Sequence, residues 1–286
     1  DAPAPTAILH SATGSSFTLG RALGRGGMAS VMLAQQTRPS SGEQGIVALK
    51  LLREHQTTTA RRLFYHEGGL LPRLQHPHIV RFIERGRGVL PGVGNVDYLA
   101  TEFVAGETAE DLLVRRNQPL APEAMLGIVA QIASALDYLH QRGVVHCDLK
   151  PGNLMIARAE ARVVVIDFGI ARAPDYDGQP VAVGTPQYLA PEQAEAGLPL
   201  DGRADLYALG VITAELLTGR RLFPRRTTTD VRAGRMIALA PHELPSQISG
   251  PLRAVISRCV QPAPADRYES APIMLEQLRL AVQQSA

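Results

Sequence analysis

The stretch HCDLKPGN, residues 146–153, places an aspartate, a lysine and an asparagine close together. The lysine is unusual in this chain. Of the 29 basic residues only Lys50 and Lys150 are lysine, and the remainder are arginine. A lysine kept where arginine is so strongly favoured indicates that the position needs a compact ammonium, because a planar guanidinium cannot take its place. Chance placement of the two lysines is the alternative explanation.

Length, composition and charge bound the class of protein. The 286 residues suffice for one large core or two lobes, and an apolar content of 45% is typical of a globular chain. The net charge is only +2, so we expect no nucleic-acid partner. No stretch reaches about 18 uncharged apolar residues, so we expect no membrane segment in this chain.

The cysteines and the first residues give two further expectations. Cys147 and Cys259 are the only cysteines, and they lack the paired spacing of a zinc site or a disulfide scaffold. This pattern favours a reducing compartment and predicts a cytoplasmic location. The chain starts DAPAPTAILHSATGSS, and this composition predicts a flexible leader over residues 1–16.

The pattern of apolar residues changes about a third of the way along the chain. Strands are predicted at SFTLGRALG, ASVMLAQQ, GIVALKLL and VDYLATEF, and hairpin turns at SSGEQG and LPGVGN. One helix is predicted over Thr59–Leu74. After Gly106, helical spacing is found in APEAMLGIVAQIASALDYLHQRG, ADLYALGVITAELLTG and APIMLEQLRLAVQQ. We therefore expect a strand-rich lobe and a helix-rich lobe, with a hinge near Thr101–Gly106.

A glycine-rich turn lies between the first two of these predicted strands. The segment LGRGGMASV, residues 23–31, contains Gly24, Gly26 and Gly27. Such small residues would let backbone amides approach phosphate oxygens closely. A plain hairpin of the same composition is equally consistent with this segment taken alone.

The next strand carries one of the two lysines. The segment VALK, residues 47–50, places Ala48 and Lys50 on one face, because strand side chains alternate. Ala48 would leave room for a flat ring, and Lys50 could reach a phosphate. Glu67, on the helix that follows, could hold the lysine extended. For each residue alone, a solvated lysine and an exposed helical glutamate are the simpler interpretations.

The stretch HCDLKPGN supplies three kinds of catalytic group. Asp148 could act as a base, Lys150 as a phosphate-binding cation and Asn153 as a metal ligand. Further along, VVVIDFGIAR ends an apolar strand on Asp167, which suits a magnesium ligand on a movable loop. An aspartate at a strand end is commonly only a turn cap, so it is the joint pattern of these residues that favours phosphoryl transfer.

Taken in order, these motifs resemble those of bacterial eukaryotic-like (Hanks-type) Ser/Thr protein kinases, and GTPQYLAPEQ, residues 184–193, adds to the match. The resemblance runs from about Phe17 to Leu280. It implies an α+β, bilobal protein-kinase fold. The N-lobe, residues 17–103, would be a small antiparallel β-sheet with one regulatory helix. The C-lobe, residues 104–284, would be larger and mainly α-helical.

The resemblance also implies a role for each matched residue. Lys50 would hold the α- and β-phosphates of ATP and pair with Glu67. Asp148 would accept the proton of the substrate hydroxyl, and Lys150 would steady the transferred phosphoryl group. The implied ligands of Mg²⁺, or alternatively Mn²⁺, are Asn153 and Asp167. The implied ATP-binding positions are Gly24, Gly26, Gly27, Val31, Ala48, Lys50, Thr101, Glu102, Val104 and Met155.

Other positions match or depart from the family pattern. By resemblance, Glu192 would pair with Arg267, and Asp205 would anchor the loop that carries the catalytic aspartate. Ala29 replaces the third glycine of the glycine-rich turn, which is a mild change. Cys147 replaces an arginine, so that HCD stands where most relatives have HRD and the chain is a non-RD variant.

The helix that carries Glu67 contains residues that disfavour helix. Gly68 and Gly69 lower its intrinsic propensity by about 1 kcal/mol each. Pro72 removes a backbone amide and crowds the preceding turn. We therefore expect a mobile helix, and a Lys50–Glu67 pair that is not permanently formed.

The position of Cys147 bears on regulation. In most relatives the arginine found there binds a phosphate on the activation loop, and a short, uncharged thiol cannot do so. Residues 170–183, IARAPDYDGQPVAV, contain no serine or threonine. Because both the acceptor and its receptor are missing, we predict activity without activation-loop phosphorylation. Control would then shift to the helix of Glu67 or to an activating partner.

Two features bear on substrate choice. Relatives that prefer arginine before the target residue often carry glutamate where this chain has Gly152, so we expect that acidic contact to be missing. The segment GRRLFPRR, residues 219–226, is basic. A solvated loop is the simpler interpretation of this segment, and a docking surface for acidic substrates or partners is the sharper one.

We therefore predict an ATP-dependent protein serine/threonine kinase that acts on protein substrates. The alternative of a different class is a pseudokinase, a nucleotide-gated signalling scaffold with the same fold. A small-molecule phosphotransferase would lack GTPQYLAPE, the segment that shapes a peptide groove in protein kinases. The physiological substrate, the upstream signal and the oligomeric state stay open.

Overall fold

The computed structural model describes residues 7–39, 41–53, 56–174, 185–194, 200–232 and 241–285. The chain forms two compact units. The first holds the described residues of Asp1–Gln75 and Val80–Ala105, and the second holds those of His76–Ile79 and Gly106–Ala286. The short segment His76–Ile79 belongs to the second unit because Ile79 forms a parallel bridge with Val165, whose amide donates to the carbonyl of His78 at 2.9 Å.

The first unit is a closed antiparallel barrel with one helix. Its elements are β1 (Ile8–Ser11), β2 (Ser16–Arg25), β3 (Ala29–Thr37), β4 (Gln44–Leu52), α1 (Thr58–Leu70), β5 (Phe82–Leu90) and β6 (Gly94–Glu102). The strands pair in the order β1-β2-β3-β4-β6-β5, and β1 closes the barrel against β5. Alternate side chains point inward, and Leu9, Phe17, Leu49 and Tyr98 are at most 1% exposed. The predicted small antiparallel sheet with one helix is confirmed.

The prediction of a flexible leader over residues 1–16 is wrong for residues 8–11, which form β1. This strand pairs with β2 through Leu9 and Phe17, and it pairs with β5 through His10 and Val89. Leu9 has no exposed surface. The proline- and alanine-rich composition that suggested a leader stops before Ile8, and one buried leucine with two sheet neighbours is enough to fix the strand.

Strand β5 was not predicted, because its sequence FIERGRGVL is polar and interrupted by glycine. Its polarity has a specific use. The carboxylate of Glu84 accepts hydrogen bonds from Ser15 at 2.8 Å, Gln36 at 2.9 Å and Tyr98 at 2.5 Å. A partly buried carboxylate with this many donors is compensated for the loss of water. These bonds tie β5 to the far side of the barrel.

Helix α1 runs unbroken through its two glycines. A β-carbon added at Gly68 would lie 3.2 Å from Cδ of Arg85, so the glycine leaves room for the arginine side chain on β5. The helix ends at Leu70, and Pro72 falls in the 3-10 turn Leu71–Arg73 that follows. The predicted span of Thr59–Leu74 was too long for that reason. The mobility of this helix stays a prediction.

The second unit is mainly helical. Its elements are β7 (Gly106–Thr108), α2 (Ala109–Arg116), α3 (Pro122–His140), β8 (Leu154–Ala157), β9 (Arg162–Val165), α4 (Pro191–Ala194), α5 (Arg203–Thr218), α6 (Thr228–Arg232), α7 (Gly250–Cys259) and α8 (Ala271–Gln283). The three strands form an antiparallel sheet in the order β7-β8-β9. Within the ranges given above, no helix is long and apolar enough to cross a membrane.

Helix α5 is the centre of the second unit. All residues from Ala204 to Thr218 are buried, and the helix contacts α3 and α7. A helix that is apolar on nearly all sides must be surrounded by protein. A β-carbon at Gly210 would lie 2.4 Å from Cβ of Cys259, so glycine is required for the close approach of α7. Gly219 ends α5 with a φ of 67°.

A buried ion pair joins α4 to the segment before α8. Arg267 donates to both oxygens of Glu192, at 2.6 and 2.8 Å, and its side chain is fully buried. The guanidinium also donates to the carbonyls of Gln261, Pro262 and Arg203. The predicted pair is therefore confirmed, and every nitrogen of the guanidinium is hydrogen-bonded.

Removing Arg267 should leave Glu192 as a buried charge without its cation. We expect Arg267→Met to lower the free energy of unfolding by about 3–5 kcal/mol. The matched control is Arg279→Met, since Arg279 forms an exposed pair with Glu276 at 3.8 Å that should contribute about 1 kcal/mol or less. Urea denaturation of both variants measures the difference. Equal, small losses would show that the buried pair contributes no more than the exposed one.

Candidate active site

The first unit brings Lys50 and Glu67 together. Lys50 lies on β4 and Glu67 on α1, and Nζ lies 2.6 Å from Oε2. The lysine side chain is 14% exposed and the glutamate side chain 4%. An ion pair with so little water around it is held more strongly than a surface pair, provided that its geometry is good. The pair is formed in this structure, although the two glycines after Glu67 suggested that it would not be permanent.

Sheet register places four predicted nucleotide-binding residues on one face. Val31 on β3 is paired with Lys50, and Ala48 is paired with Thr101 on β6. Ala48 and Lys50 are two apart on β4, so they point to the same side, opposite the buried Leu49. Directly paired residues also share a face. This side of the sheet therefore carries the lysine, a small residue and two β-branched residues.

The glycine-rich turn has no packing reason to be glycine in the described structure. Gly24 is paired with Val31 one residue before the end of β2, and Gly26 and Gly27 follow in the turn before β3. A β-carbon built at Gly24 or Gly27 would meet no described atom within 4 Å, and one at Gly26 would meet only the carbonyl of Ala29 at 3.6 Å. Open space above small residues fits the predicted approach of a phosphate.

The remaining predicted nucleotide-binding residues are divided between the units. In the first unit, Glu102 ends β6 and its amide donates to the carbonyl of Arg81 at 2.9 Å. Val104 follows and is buried. Met155 lies on β8 in the second unit, paired with Thr108, and is partly exposed.

In the second unit, the loop HCDLKPGN gathers its own polar groups around one carboxylate. Oδ2 of Asp148 lies 2.7 Å from Nζ of Lys150 and 3.0 Å from Nδ2 of Asn153. The same amide nitrogen donates to the backbone carbonyl of Asp148 at 2.8 Å. The 3-10 turn Pro151–Asn153 brings the asparagine back towards the aspartate. The three residues that sequence spacing singled out therefore contact one another.

Asp167 lies next to this loop. The amide of Ile166 donates to the carbonyl of Asn153 at 2.9 Å, so the asparagine and Asp167 lie at neighbouring positions. Asp167 has a φ of 63°, which few residues other than glycine adopt and which is typical of constrained functional positions. Phe168 is fully buried and packs edge-on against His146, with ring centroids 4.9 Å apart.

The donors at Asn153 and Asp167 fit a magnesium ion. Mg²⁺ prefers oxygen ligands, and it is usually bound through one or two carboxylates together with substrate phosphates and water. Within the described ranges, no group of three or more His, Cys, Asp or Glu side chains is placed to hold a metal. A site of one carboxylate and one amide oxygen is therefore suited to an ion that arrives with a phosphorylated ligand.

The carboxylate of Asp205 holds the backbone of the loop HCDLKPGN in place. Its Oδ2 accepts from the amide of His146 at 2.9 Å and from Nε2 of His140 at 2.8 Å, and its Oδ1 accepts from the amide of Cys147 at 3.0 Å. Burial alone would raise the pKa of Asp205, but the hydrogen bond and charge of His140 hold that pKa below its usual value. The predicted anchor is confirmed, and the sequence had no signal for the role of His140.

Cys147 is held by its backbone rather than by its side chain. Its φ is 66°, and its carbonyl accepts a hydrogen bond from Nε2 of Gln193 at 2.7 Å. The buried thiol lies 3.4 Å from the carbonyl of Val145, and burial raises the pKa of this thiol well above its usual range. Gln193, the last residue of GTPQYLAPEQ, was not singled out from the sequence, because its partner is a backbone atom of a distant loop.

The expectation that an acidic contact is missing at Gly152 is wrong. A β-carbon built on Gly152 would lie 2.9 Å from Oε2 of Glu110, so a carboxylate from α2 occupies the space beside this glycine. A side chain at position 152 would displace it. An acidic group therefore lies beside Gly152, although it comes from α2 and not from the loop itself.

The segment GRRLFPRR is also less solvated than either interpretation assumed. Arg221 pairs with Glu110 and Glu215. Arg226 donates to the hydroxyl of Tyr207 at 2.9 Å and to a backbone carbonyl. Two of the four arginines therefore bind within the second unit, and a docking surface built from all four is not available.

The segment expected to carry an activation switch falls mostly outside the described residues. Residues 175–184, which include Tyr176, belong to that part of the chain. Just before these residues in the sequence, Arg172 exchanges two backbone hydrogen bonds of 2.8 Å with Val145. Just after them, the carbonyl of Thr185 accepts a hydrogen bond from the amide of Tyr188 at 2.9 Å. Both ends of the segment thus lie on ordered turns or bridges of the second unit.

Comparison with known proteins identifies relatives across most of the chain. The family model of the protein kinase domain matches residues 17–278. The probable serine/threonine-protein kinase SCO3848 of Streptomyces coelicolor is 37% identical over 270 residues, which is 91% of this chain and 39% of that protein. Serine/threonine-protein kinase PknB of Mycolicibacterium smegmatis is 35% identical over 267 residues, covering 90% and 41%.

A solved structure is similar as well. The PknI kinase domain of Mycobacterium tuberculosis, crystallised as a double mutant, matches with a TM-score of 0.67 and 30% identity, covering 95% of this chain and 96% of that one. Serine/threonine-protein kinase Pkn1 of Myxococcus xanthus is 36% identical over 282 residues, covering 93% of this chain and 38% of that protein. The chain thus spans about two fifths of the length of the curated relatives it matches.

Proposed function

The chain belongs to the protein kinase family, and we propose that it transfers the γ-phosphoryl group of ATP to serine and threonine hydroxyls of proteins. The observation that carries this proposal is the catalytic loop. Lys150 and Asn153 both donate to the carboxylate of Asp148, and none of these three residues is replaced by one of different chemistry. A pseudokinase would be expected to have lost at least one of these groups, or the Lys50–Glu67 pair.

Each residue of the set has a task in the transfer. Asp148 would accept the proton of the attacking hydroxyl, while Lys150, 2.7 Å from it, would balance charge on the moving phosphoryl group. Lys50, held straight by Glu67, would bind the α- and β-phosphates. Asn153 and Asp167 would hold a divalent cation. When bound, that cation neutralises charge on the phosphates.

For nucleotide binding we keep the contacts that family membership implies. The amides of the turn at Gly24, Gly26 and Gly27 would lie against the phosphates, in the open space noted above. The adenine would contact Val31, Ala48 and Met155. Thr101 would guard the back of the adenine pocket, and Glu102 and Val104 would supply backbone groups for the ring nitrogens. Mg²⁺ is the expected cation, and Mn²⁺ is an alternative.

We also propose that catalysis does not require phosphorylation of the activation loop. The geometry of HCDLKPGN is supported from within the second unit, by Asp205 through two amides and by Gln193 through a carbonyl. The neutral thiol of Cys147 cannot bind a phosphate, so the domain behaves as a non-RD kinase. Control would then act through the helix of Glu67 or through an activating partner.

We also propose a substrate class and a cellular location for this domain. Protein substrates follow from the kinase family, and a cytoplasmic location is suggested by two buried, unpaired cysteines. Because the chain spans about two fifths of its curated relatives, these statements concern the domain and not a longer protein.

Incubation with MgATP and a generic protein substrate tests the activity. We expect phosphate on serine and threonine of the substrate, and a loss of at least about a hundredfold in Asp148→Asn, in line with the removal of a general base. The exposed Asp266→Asn provides a matched control and should keep the wild-type rate. Phosphorylation that persists unchanged in Asp148→Asn would remove Asp148 from its assigned role.

The lysine at position 50 should not be replaceable by arginine. In Lys50→Arg the charge is kept, but the larger planar guanidinium does not fit between the phosphates and Glu67. We expect at least about a tenfold loss of kcat/KM, equivalent to about 1.4 kcal/mol. The control is Arg38→Lys, which exchanges the same two residue types at an exposed pair with Glu43. Wild-type turnover of Lys50→Arg would contradict the phosphate-binding role.

Independence from the activation loop can be read from a time course. The protein is produced free of phosphate, which intact mass verifies, and the initial rate is followed from the moment that MgATP is added. We expect a linear time course without a lag, and the same rate for Tyr176→Phe. A lag that prior phosphorylation at Tyr176 or Thr185 abolishes would show that the phosphorylation switch is still in use.

A further inference from the structure

Two neighbouring strands of the barrel each contact helix α1 through a polar side chain. Lys50 on β4 pairs with Glu67, as described above. Asp97 on β6 accepts a hydrogen bond from the hydroxyl of Tyr65 at 2.7 Å. Tyr65 and Glu67 are two residues apart, so their side chains leave the helix in directions about 200° apart. The helix is therefore attached to the sheet at two separate points.

Sheet register places the two attachment points on the same face of the barrel. Lys50 is paired with Leu99 on β6, and Asp97 lies two residues before Leu99. Directly paired residues share a face, and so do residues two apart on one strand. Tyr98, between Asp97 and Leu99, points into the barrel core. Lys50 and Asp97 therefore both lie on the outer face, where α1 contacts them.

The carboxylate of Asp97 does not depend on Tyr65 alone. It also binds Arg87, its directly paired neighbour on β5, with Nε 2.9 Å from Oδ1 and Nη2 3.2 Å from Oδ2. Asp97 is 8% exposed, whereas the side chain of Arg87 is 60% exposed. Burial raises the pKa of Asp97, but hydrogen bonds from Arg87 and Tyr65 hold that pKa below its usual value. Loss of the Tyr65 hydroxyl would thus leave Asp97 paired within the sheet.

Helix α1 depends on tertiary contacts near its middle. At its start the side chain of Thr57 accepts a hydrogen bond from a backbone amide at 3.2 Å. Gly68 and Gly69, directly after Glu67, weaken its second half. A helix of this length is held mainly by packing rather than by intrinsic propensity. The contact of Tyr65 lies between the cap and the two glycines, where it can hold the turn that carries Glu67.

We propose that Tyr65 is a positioning residue for phosphoryl transfer, because its bond to Asp97 keeps Glu67 in contact with the lysine on β4. Tyr65 acts on the reaction only through Glu67, whose carboxylate orients the ammonium of Lys50. Without the bond to Asp97, α1 pivots about one remaining polar attachment, and the ion pair is formed for a smaller part of the time. This inference rests on the proposed kinase function, because it concerns the lysine that would bind the phosphates.

Hydrogen exchange tests the attachment without catalysis. Tyr65→Phe removes the hydroxyl and keeps the ring, which packs edge-on against Phe64 with centroids 6.0 Å apart. We expect the amides of residues 66–70 to exchange at least about tenfold faster, and those of β3, β4 and β6 to keep their wild-type rates. The matched control is Arg87→Gln, which removes the exposed partner of Asp97 and leaves the bond from Tyr65 in place. Its exchange rates should be those of wild type.

A double-mutant cycle then tests whether Tyr65 acts through Glu67. We compare kcat/KM for ATP in wild type, Tyr65→Phe, Glu67→Gln and the double variant. Tyr65→Phe alone should lower kcat/KM at least about fivefold, and Arg87→Gln should stay within about twofold of wild type. In the Glu67→Gln background, Tyr65→Phe should have no further effect, because the pair that it supports is already weakened. A merely structural role would lower kcat/KM by the same factor in both backgrounds.

Four results would overturn the role of Tyr65. They are unchanged exchange in α1 of Tyr65→Phe, faster exchange throughout the barrel, losses that multiply in the cycle, and an equal effect of Arg87→Gln. If wild type transfers no phosphoryl group, the kinase function fails, and the exchange rates of α1 alone decide whether Tyr65 holds the helix.

Discussion

The loop HCDLKPGN depends on the hydrogen bonds that the carboxylate of Asp205 accepts from its backbone. Asp205 lies in the first turn of α5, the most buried of the described helices, and it binds the amides of two consecutive loop residues. Because α5 is surrounded by protein, the position of its first turn is fixed by packing rather than by local propensity. His146 and Cys147 are therefore placed by the core of the second unit, and Asp148 follows from them.

Much of this arrangement could be predicted from the sequence, because it is local. Alternation along β4 correctly placed Ala48 and Lys50 on one face, and the helical spacing of ADLYALGVITAELLTG correctly predicted the helix α5. The short spacing within HCDLKPGN determines which side chains can meet around Asp148. In each of these cases the partners lie within one element or one turn, or the spacing matches a family whose geometry is shared.

The features that were missed depend on contacts between distant segments. Strand β1 has only Leu9 to mark it, and β5 is polar because Glu84 is bound by side chains from elsewhere in the barrel. Gly152 suggested a missing acidic group, yet Glu110 supplies one from a helix about 40 residues earlier in the chain. Sequence spacing gives no information on such pairs, since the fold alone brings them together.

The burial of the two cysteines determines how the domain responds to oxidants and alkylating reagents. Cys147 and Cys259 are both buried, and burial raises the pKa of Cys259 to about 12 and that of Cys147 further still. Oxidants and alkylating reagents attack the thiolate, and neither sulfur is in that form near neutral pH. The cysteine next to Asp148 is thus chemically inert near neutral pH, and neither peroxide nor an electrophilic inhibitor should react with it.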